Sequence, residues 1–340
     1  NRIFYTICGS TAVETAIKIA IAFHRAKGDS KRFRFVGRER GYHGMNIGAT
    51  TVGGMINNVK TFASVLMPGV QHMRHTHLPE HKFVKGQPET GVELAEDLER
   101  IAMNFGGENI AACIVEPIAG STGTLVPPKG YLKRLREICN KHGILLIFDE
   151  VITGWGRTGS AFAAQEWGVT PDIMTMAKAT TNGVVPMGVV AVKEEMYDTV
   201  LDASKAPEGT PELFHGYTYS GIPVAVAAAL AVQDIFDKED IFKRAKEMSP
   251  YFQDGLHSLK DLKEVVSIRG YGMMGGIEMR MKEKPGKSGF QTFKHCYDAG
   301  VNFKNTGDTL IIAPQFICEK KHIDEIIDKL RIGISNYTKS

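Results

Sequence analysis

The chain has 340 residues, of which 43% are hydrophobic and 23% are charged, an ordinary globular composition that allows one large core and a second, smaller domain. Its 41 basic and 38 acidic residues leave a net charge of +3, too weak an excess to predict nucleic acid or an anionic membrane as a partner. The cysteines are odd in number, far apart and without a CxxC spacing, which argues against a disulfide framework or a zinc site and favours a reducing cytoplasm.

The first predicted strand lies at residues 3–7, and a helix follows it. Thr11 and Glu14 have the spacing of a capping box, and apolar residues recur until Gly28 ends the helix. Because the chain enters a strand almost at once and has no initiator Met, we expect an N-terminal portion to be absent. A second strand at 34–37 leads into the polar turn RERGYHG.

Strands and helices then alternate along the chain. The predicted elements are helices over 91–105 and 131–141 and strands over 110–117, 144–148, 172–176 and 188–192. This alternation predicts a mostly parallel sheet with helices on both faces, and such sheets bind ligands at the carboxyl ends of their strands. Gly9, Glu116, Asp149 and the segment after Met176 lie at such ends, so we expect them to converge.

The last third of the chain is more polar. The predicted elements are a long helix over 222–236, strands over 265–269, 277–281 and 310–313, and helices over 290–299 and 322–337. Short strands mixed with helices indicate a smaller α+β domain. The chain is therefore divided into a large domain at 1–221 and a linking helix with a C-terminal small domain at 222–340.

Polar groups follow two of the predicted strands. Gly9, Ser10 and Thr11 stand before a helix, where free backbone N–H groups suit a phosphate, although a plain helix cap is the alternative. Asp149 ends the wholly apolar strand ILLIF and needs a partner there, unless it only caps the next turn. Glu150 is expected to be the structural acid of the pair, because neighbours on a strand point to opposite sides.

Two further side chains are candidates for chemistry. Lys178 directly follows a strand and is flanked by Ala177 and Ala179, so it is a candidate Schiff-base nucleophile, with a surface lysine as the alternative. Tyr42 follows the second strand and either stacks on a planar ligand or packs on the core as an ordinary loop aromatic.

Three other kinds of site are predicted to be absent. Residues 270–275 match GxGxxG, but a strand-like run follows instead of a helix, so we reject a dinucleotide site and with it a nicotinamide dehydrogenase. The histidine-rich stretch at 71–81 lacks the helical i, i+4 context of a zinc motif, so we predict no metal. No apolar run approaches the roughly 20 residues that span a bilayer.

The chain resembles class III aminotransferases over essentially its whole length, through GSTAVETAIKIA, ERGYHG, IVEPIAGSTG, PPKGYL, FDEVITGWGRTG, PDIMTMAKATTNG and HGYTYSG in this order. The most similar branch is the ω-amino acid–pyruvate (β-alanine–pyruvate) aminotransferases, through RERGYHG, GQPE, AGSTG, ILLIFDEVIT, HGYTYSG and the tail GDTLIIAPQF. The resemblance implies the aspartate-aminotransferase fold (fold type I), pyridoxal phosphate as cofactor, and a homodimer or larger assembly with shared active sites.

The resemblance also implies a role for each matching residue. The catalytic pair would be Lys178, which holds the cofactor covalently, and Asp149, which pairs with the protonated pyridine nitrogen. The other cofactor contacts would be the phosphate-binding Gly9, Ser10 and Thr11, the ring contacts Tyr42, His43, Val151 and Ile152, Glu116 near the ring hydroxyl, and Thr218 from the neighbouring subunit. The substrate would contact Tyr42, Tyr217 and Lys304.

The implied reaction transfers nitrogen from an ω-amino acid or primary amine to pyruvate. Lys304 departs from the family pattern, because related members carry at this position an arginine that clamps the substrate carboxylate with a bidentate fork. Substrate choice is therefore open between this reaction and a transaminase for taurine, 4-aminobutyrate or a diamine, or an aminomutase. A non-catalytic scaffold relative is a further alternative, which the joint presence of Lys178 and Asp149 disfavours.

Overall fold

The computed structural model of the chain describes residues 1–204 and 213–339. The strands are β1 (Arg2–Thr6), β2 (Arg34–Arg38), β3 (Val70–Met73), β4 (Ile110–Val115), β5 (Leu145–Asp149), β6 (Ile173–Met176), β7 (Gly188–Val192), β8 (Val265–Tyr271), β9 (Met274–Met279), β10 (Lys304–Thr306) and β11 (Thr309–Ile312). The α-helices are α1 (Gly9–Ala26), α2 (Ile47–Val52), α3 (Ile56–Thr61), α4 (Glu96–Phe105), α5 (Tyr131–His142), α6 (Ala163–Glu166), α7 (Glu194–Ser204), α8 (Pro223–Lys238), α9 (Ile241–His257), α10 (Lys287–Asp298) and α11 (Lys320–Lys339).

Seven strands form the larger sheet, in the order β1-β7-β6-β5-β4-β2-β3. The neighbours from β3 to β6 are parallel, while β7 runs antiparallel to both β6 and β1. Every residue of β4 and β5 is buried. Helix α1 packs on one face of this sheet and helices α4 and α5 pack on the other. The predicted mostly parallel sheet covered on both faces is therefore confirmed.

Helix α1 begins earlier than the sequence pattern suggested. Its N-cap is Cys8, and the capping box joins Cys8 to Thr11 instead of Thr11 to Glu14, so that prediction was wrong. The hydroxyl of Thr11 accepts from the backbone N–H of Cys8 at 3.0 Å. Glu14 instead accepts from the backbone N–H of Ala49 at 2.9 Å and ties α2 to α1. Because the helix starts at Gly9, its first free N–H groups lie at the carboxyl end of β1.

The second, smaller sheet has four antiparallel strands in the order β10-β11-β9-β8. Its core includes apolar residues of α9, α10 and α11. The GxGxxG match at 270–275 is the tight turn of the β8–β9 hairpin, which confirms that no helix follows it. Helix α9 was not predicted from the sequence, and it contains Pro250 in its interior. The division at 221/222 falls just before α8 and stays a prediction.

In the part of the chain that the structure describes, none of the helices is both long and apolar enough to cross a membrane.

Candidate active site

A cavity of about 310 Å³ opens at the carboxyl ends of the parallel strands. It is lined by residues that the sequence singled out and by several that it did not: Ile7, Cys8, Gly9, Ser10, Tyr42, His43, Gly44, Glu116, Asp149, Val151, Ile152, Ala177, Lys178, Thr181, Gly183, Val185, Pro186 and Met187. The expected convergence of Gly9, Glu116, Asp149 and the segment after Met176 is thus confirmed.

Asp149 is the last residue of β5 and is only 4% exposed. One carboxylate oxygen, Oδ2, lies 2.8 Å from His43 Nδ1, and the other accepts from the backbone N–H of Val151 at 3.1 Å. An ionised buried carboxylate requires such partners. Asp149 therefore presents a fixed acidic group to the cavity, with its orientation set by His43.

Glu150 directly follows Asp149 at the end of β5, and its side chain lies on the opposite side of the strand. It is fully buried and accepts from the Thr153 hydroxyl at 2.7 Å and from the backbone N–H groups of Ala163 and Ala164 at 2.9 and 2.8 Å. Burial raises the pKa of Glu150 to about 7, and these donors oppose the shift. Its expected structural role is confirmed, because it holds the loop after β5 and does not line the cavity.

Lys178 follows β6 in the 3₁₀ turn Lys178–Thr180 and is accessible from the cavity. Burial of the amine by the surrounding protein lowers the pKa of Lys178; the carboxylates of Asp149 and Glu116 oppose this shift, and the ammonium of Lys304 adds to it. A lowered pKa increases the fraction of neutral amine, which is the nucleophilic form. Lys178 is solvent-exposed and also lines the cavity together with Asp149, so its role as the nucleophile stays a prediction.

The start of α1 forms the next part of the cavity wall. The thiol of Cys8 and the hydroxyl of Thr11 are used within the capping box, whereas the backbone N–H groups of Gly9 and Ser10 belong to the unpaired first turn. A Cβ on Gly9 would lie 3.1 Å from Val151 Cγ1, so Val151 packs directly on this turn. The site offers two N–H donors and the positive end of a helix dipole to an anion.

Gly44 locks the loop after β2 onto the same helix start. Its φ is +119°, and a Cβ there would lie 2.6 Å from the backbone Cα of Ser10. The next residue, Met45, donates its backbone N–H to the Ser10 hydroxyl at 3.1 Å. The loop that carries Tyr42 and His43 is therefore fixed against α1 by a contact that only glycine permits.

Glu116 follows β4 and braces two segments beside the cavity. Its carboxylate accepts from the backbone N–H of Tyr42 at 2.8 Å and from that of Gly120 at 3.1 Å. Burial raises the pKa of Glu116. Burial and the nearby Asp149 carboxylate also raise the pKa of Tyr42, which keeps its phenol neutral. Glu116 thus positions the Tyr42 loop through its carboxylate.

Four of the predicted site residues do not line this cavity as the described residues form it: Thr11, Tyr217, Thr218 and Lys304. The Thr11 hydroxyl accepts from the backbone N–H groups of Ile7 and Cys8 and donates to the Cys8 carbonyl oxygen. Tyr217 directs its phenol toward the Thr11 carbonyl oxygen at 3.5 Å, and Thr218 lies in an exposed turn. Lys304 is exposed in β10, close enough to affect Lys178 electrostatically. Contacts of these residues with a cofactor or substrate stay predictions.

The sequence reasoning missed the wall formed by residues 181–187. Thr181, Gly183, Val185, Pro186 and Met187 lie in the irregular segment between the Lys178 turn and β7. The signal that could have found them is their position, because a loop that follows a strand carrying a reactive group borders the same cavity.

The arrangement suits a ligand with three chemical features. The Lys178 amine can bind an electrophilic carbon of the ligand, and the buried Asp149 carboxylate can pair with a basic ring nitrogen. The free N–H groups at the start of α1 can bind an anionic group of the ligand. The wall residues Val151 and Ile152 are apolar and suit the faces of a flat ring.

Comparisons with known proteins agree with this chemistry. The family model of class-III aminotransferases matches residues 1–333. An omega-aminotransferase of Caulobacter vibrioides is 50% identical over 333 residues, which cover 97% of this chain and 75% of that protein. An omega-amino acid–pyruvate aminotransferase of Pseudomonas putida is 43% identical over 334 residues, which cover 96% of this chain and 73% of that protein. A solved omega transaminase of Pseudomonas jessenii in complex with PMP has a TM-score of 0.93 at 29% identity, over 100% of this chain and 76% of that one.

Proposed function

Because the chain belongs to the class-III aminotransferases, we propose that it transfers the amino group of an ω-amino acid or a primary amine to pyruvate. The products are an aldehyde or semialdehyde and alanine. The observation that carries the proposal is that Lys178 and Asp149 line one cavity beside the free N–H groups of α1. The relative from Pseudomonas putida supports the substrate class, since its name gives an ω-amino acid and pyruvate.

Pyridoxal phosphate is the cofactor of this family, and the cavity residues fit it. We assign its aldehyde carbon to Lys178, its ring nitrogen to Asp149 and its phosphate to the backbone N–H groups of Gly9 and Ser10. When bound, it supplies an aldehyde carbon that takes up an amino group and a ring that accepts the electron pair released from the substrate carbon.

Asp149 holds a proton at the ring nitrogen. Its carboxylate is buried, so its negative charge acts at short range with little screening by water. His43 donates to one carboxylate oxygen and the Val151 backbone N–H to the other, which fixes the direction of the acid before any ligand arrives. This preorganisation would hold a proton on the nitrogen of a ring bound beside Asp149.

Lys178 acts first as a nucleophile and then as a proton carrier. Its lowered pKa increases the fraction of neutral amine, the form that would bind the cofactor covalently. With substrate present, its free amine would be placed to take a proton from the substrate carbon and to release it again within the cavity. Both steps require the amine to stay at the cavity wall.

Lys304 binds the carboxylate of pyruvate and of alanine. Its ammonium lowers the pKa of Lys178, so the two amines are within electrostatic reach of each other. An anion beside Lys304 would meet the positive charge of its ammonium. A lysine makes point-charge contacts and lacks the planar fork of an arginine, so we expect weaker selection among acceptors of different shape.

The full-length protein loaded with pyridoxal phosphate and given β-alanine and pyruvate should produce alanine and a semialdehyde. Taurine, 4-aminobutyrate and a diamine are compared as donors in the same assay. Turnover with an α-amino donor and with none of the ω-amines would rule out the ω reaction while leaving the aminotransferase chemistry in place.

We further propose a homodimer with shared sites. Phe214 and Tyr219 are 91% and 67% exposed on either side of Thr218, an amount of exposed aromatic surface that suits contact with a second subunit. Thr218 and Tyr217 would then act at the partner's cavity. Sedimentation of the holoenzyme measures the assembly, and a monomer with full activity would exclude shared sites.

We also propose a cytoplasmic location. The cysteines Cys8, Cys113, Cys139, Cys296 and Cys318 are all free thiols, as expected in a reducing compartment. Cell fractionation followed by detection of the protein tests this location directly.

A further inference from the structure

Lys178 stands in a turn whose geometry has to be maintained by its surroundings. Its φ is +48°, in the left-handed region that residues with a side chain adopt only at a cost. The turn runs over Lys178–Thr180, directly after Ala177. We propose that Trp155 is a positioning residue for Lys178, acting through the hydroxyl of Thr180. This inference rests on the proposed function, since it gives Lys178 its reactive role.

A short hydrogen-bond relay connects the two residues. Trp155 Nε1 donates to Thr180 Oγ1 at 3.1 Å, and Thr180 Oγ1 donates to the carbonyl oxygen of Ala177 at 3.1 Å. One hydroxyl can make both bonds at once, because it has one proton and free lone pairs. Thr180 is only 4% exposed, so water is poorly placed to substitute for either partner. The relay therefore holds residues on both sides of Lys178.

The donor end of the relay is firmly anchored. The ring of Trp155 packs edge-on against Phe162, with centroids 5.6 Å apart, and against Phe236 of α8, with centroids 6.1 Å apart. Edge-to-face aromatic contacts of this kind fix the orientation of a ring as well as burying it. The direction of the indole N–H is therefore set by α8 and by the loop after β5.

The plain alternative is that Trp155 only fills space among aromatic side chains. A phenylalanine would fill most of the same space and keep the edge-on contacts, but it has no N–H group. If Trp155 positions Lys178, its loss leaves the buried Thr180 hydroxyl without a donor and allows the strained turn to relax. Removing the indole N–H in Trp155→Phe should therefore affect Lys178 if Trp155 is a positioning residue, and should leave Lys178 unchanged if Trp155 only fills space.

The first test observes the hydrogen bond itself in the cofactor-free protein. The chain has two tryptophans, so protein labelled with ¹⁵N-tryptophan gives two indole N–H signals, and Trp167→Phe assigns the one from Trp155. Thr180→Val should move the Trp155 signal and speed its hydrogen exchange about five- to tenfold, the effect of one neutral hydrogen bond. Thr180→Ser should leave it unchanged. An unmoved signal in Thr180→Val would overturn the relay.

The second test measures Lys178 through its capture of added pyridoxal phosphate, fixed with borohydride at successive times. Trp155→Phe and Thr180→Val should each slow capture about five- to tenfold, and the double variant should be no slower than the slower single variant. Thr180→Ser and the control Trp167→Phe should stay within about twofold of the wild type. Trp167 packs edge-on against Tyr271, and no hydrogen bond or ring contact joins it to the Lys178 turn among the described residues, so it tests the loss of an indole as such.

The outcomes separate this inference from the proposed function. Wild-type protein that fails to capture pyridoxal phosphate at Lys178 contradicts the proposed function. Normal capture by the wild type and by Trp155→Phe, or effects of the two single variants that multiply in the double variant, contradicts the positioning role alone. Thermal unfolding of each variant is measured in parallel, and Thr180→Val decides if Trp155→Phe fails to fold.

Discussion

The two sides of the end of β5 carry neighbouring carboxylates, and they differ in what surrounds each acid. On one side, Asp149 accepts from His43 and Val151 and borders a cavity. On the other, Glu150 accepts from three protein donors and borders none of the cavity that holds Lys178. Both acids have a hydrogen-bond donor on each oxygen, so what separates them is the cavity: Asp149 lines it and can also meet a ligand, whereas Glu150 does not line it and only holds the loop after β5.

The largest expected effect is on the cavity side. Lys178→Ala removes the amine that binds the cofactor and moves the proton, so turnover should fall at least about a thousandfold. After borohydride treatment and gel filtration, the wild type should retain covalently attached cofactor, detected by its near-ultraviolet absorbance, and the variant should retain none. Thermal unfolding of the cofactor-free variant should match the cofactor-free wild type, and turnover that persists would remove Lys178 from the mechanism.

The comparison is tested directly by neutralising each acid in turn. Asp149→Asn keeps an acceptor for His43 but loses the charge, so kcat should fall about a hundredfold to a thousandfold. The matched control is Glu150→Gln, which neutralises the next residue and should change kcat by no more than about twofold. Equal losses in the two variants would show that the two sides do not differ in function.

A substitution at Lys304 tests whether this residue, which does not line the cavity itself, also binds the substrate. Lys304→Ala removes a charge beside the substrate carboxylate, so the apparent KM for pyruvate should rise about tenfold. The KM for an uncharged primary amine should change by less than about twofold. In the control Lys133→Ala, on the exposed face of α5, the KM for pyruvate and the KM for the amine should both change by less than about twofold. Parallel increases for pyruvate and the amine would count against carboxylate binding.

The smallest effect on turnover is expected on the Glu150 side, where the pH dependence of stability is informative. The pKa of Glu150 is raised to about 7, so the folded protein binds its proton more tightly than the unfolded chain does. Its contribution to the free energy of unfolding is present below the ordinary pKa near 4.5 and is lost as pH rises through about 7.

Denaturant unfolding at several pH values measures this contribution. The wild type should lose on the order of 2 kcal/mol relative to Glu150→Gln between pH 4.5 and pH 8. A difference that stays constant over this range would mean that Glu150 is ionised throughout, with its three donors outweighing burial.

Much of the larger sheet was predictable from the sequence for a physical reason. Strands β4 and β5 are buried on both faces, so they appear as unbroken apolar runs that end at polar residues. The sites at those ends, Glu116 and Asp149, could therefore be placed without coordinates. The role of Glu150 also followed from the alternation of side chains along a strand.

Other parts depend on contacts between distant segments, which the sequence does not display. The start of α1 was misplaced because a cysteine serves as its N-cap, although serine, threonine, aspartate and asparagine are the usual residues. The Trp155–Thr180 bond joins residues 25 positions apart, and only the fold brings them together. The functional surroundings of Thr218 and Lys304 likewise depend on segments far away along the chain.

The contact of Gly44 with Ser10 limits how this protein can be recombined with its relatives. A crossover placed between Ser10 and Gly44 would combine the start of α1 from one protein with the loop after β2 from another. A small difference in the spacing of these two segments would then separate the aromatic ring of Tyr42 from the anion-binding N–H groups. Chimeric genes should therefore exchange residues 8–45 as a single block, and junctions within that block should yield folded proteins with weakened hold on a phosphorylated ligand.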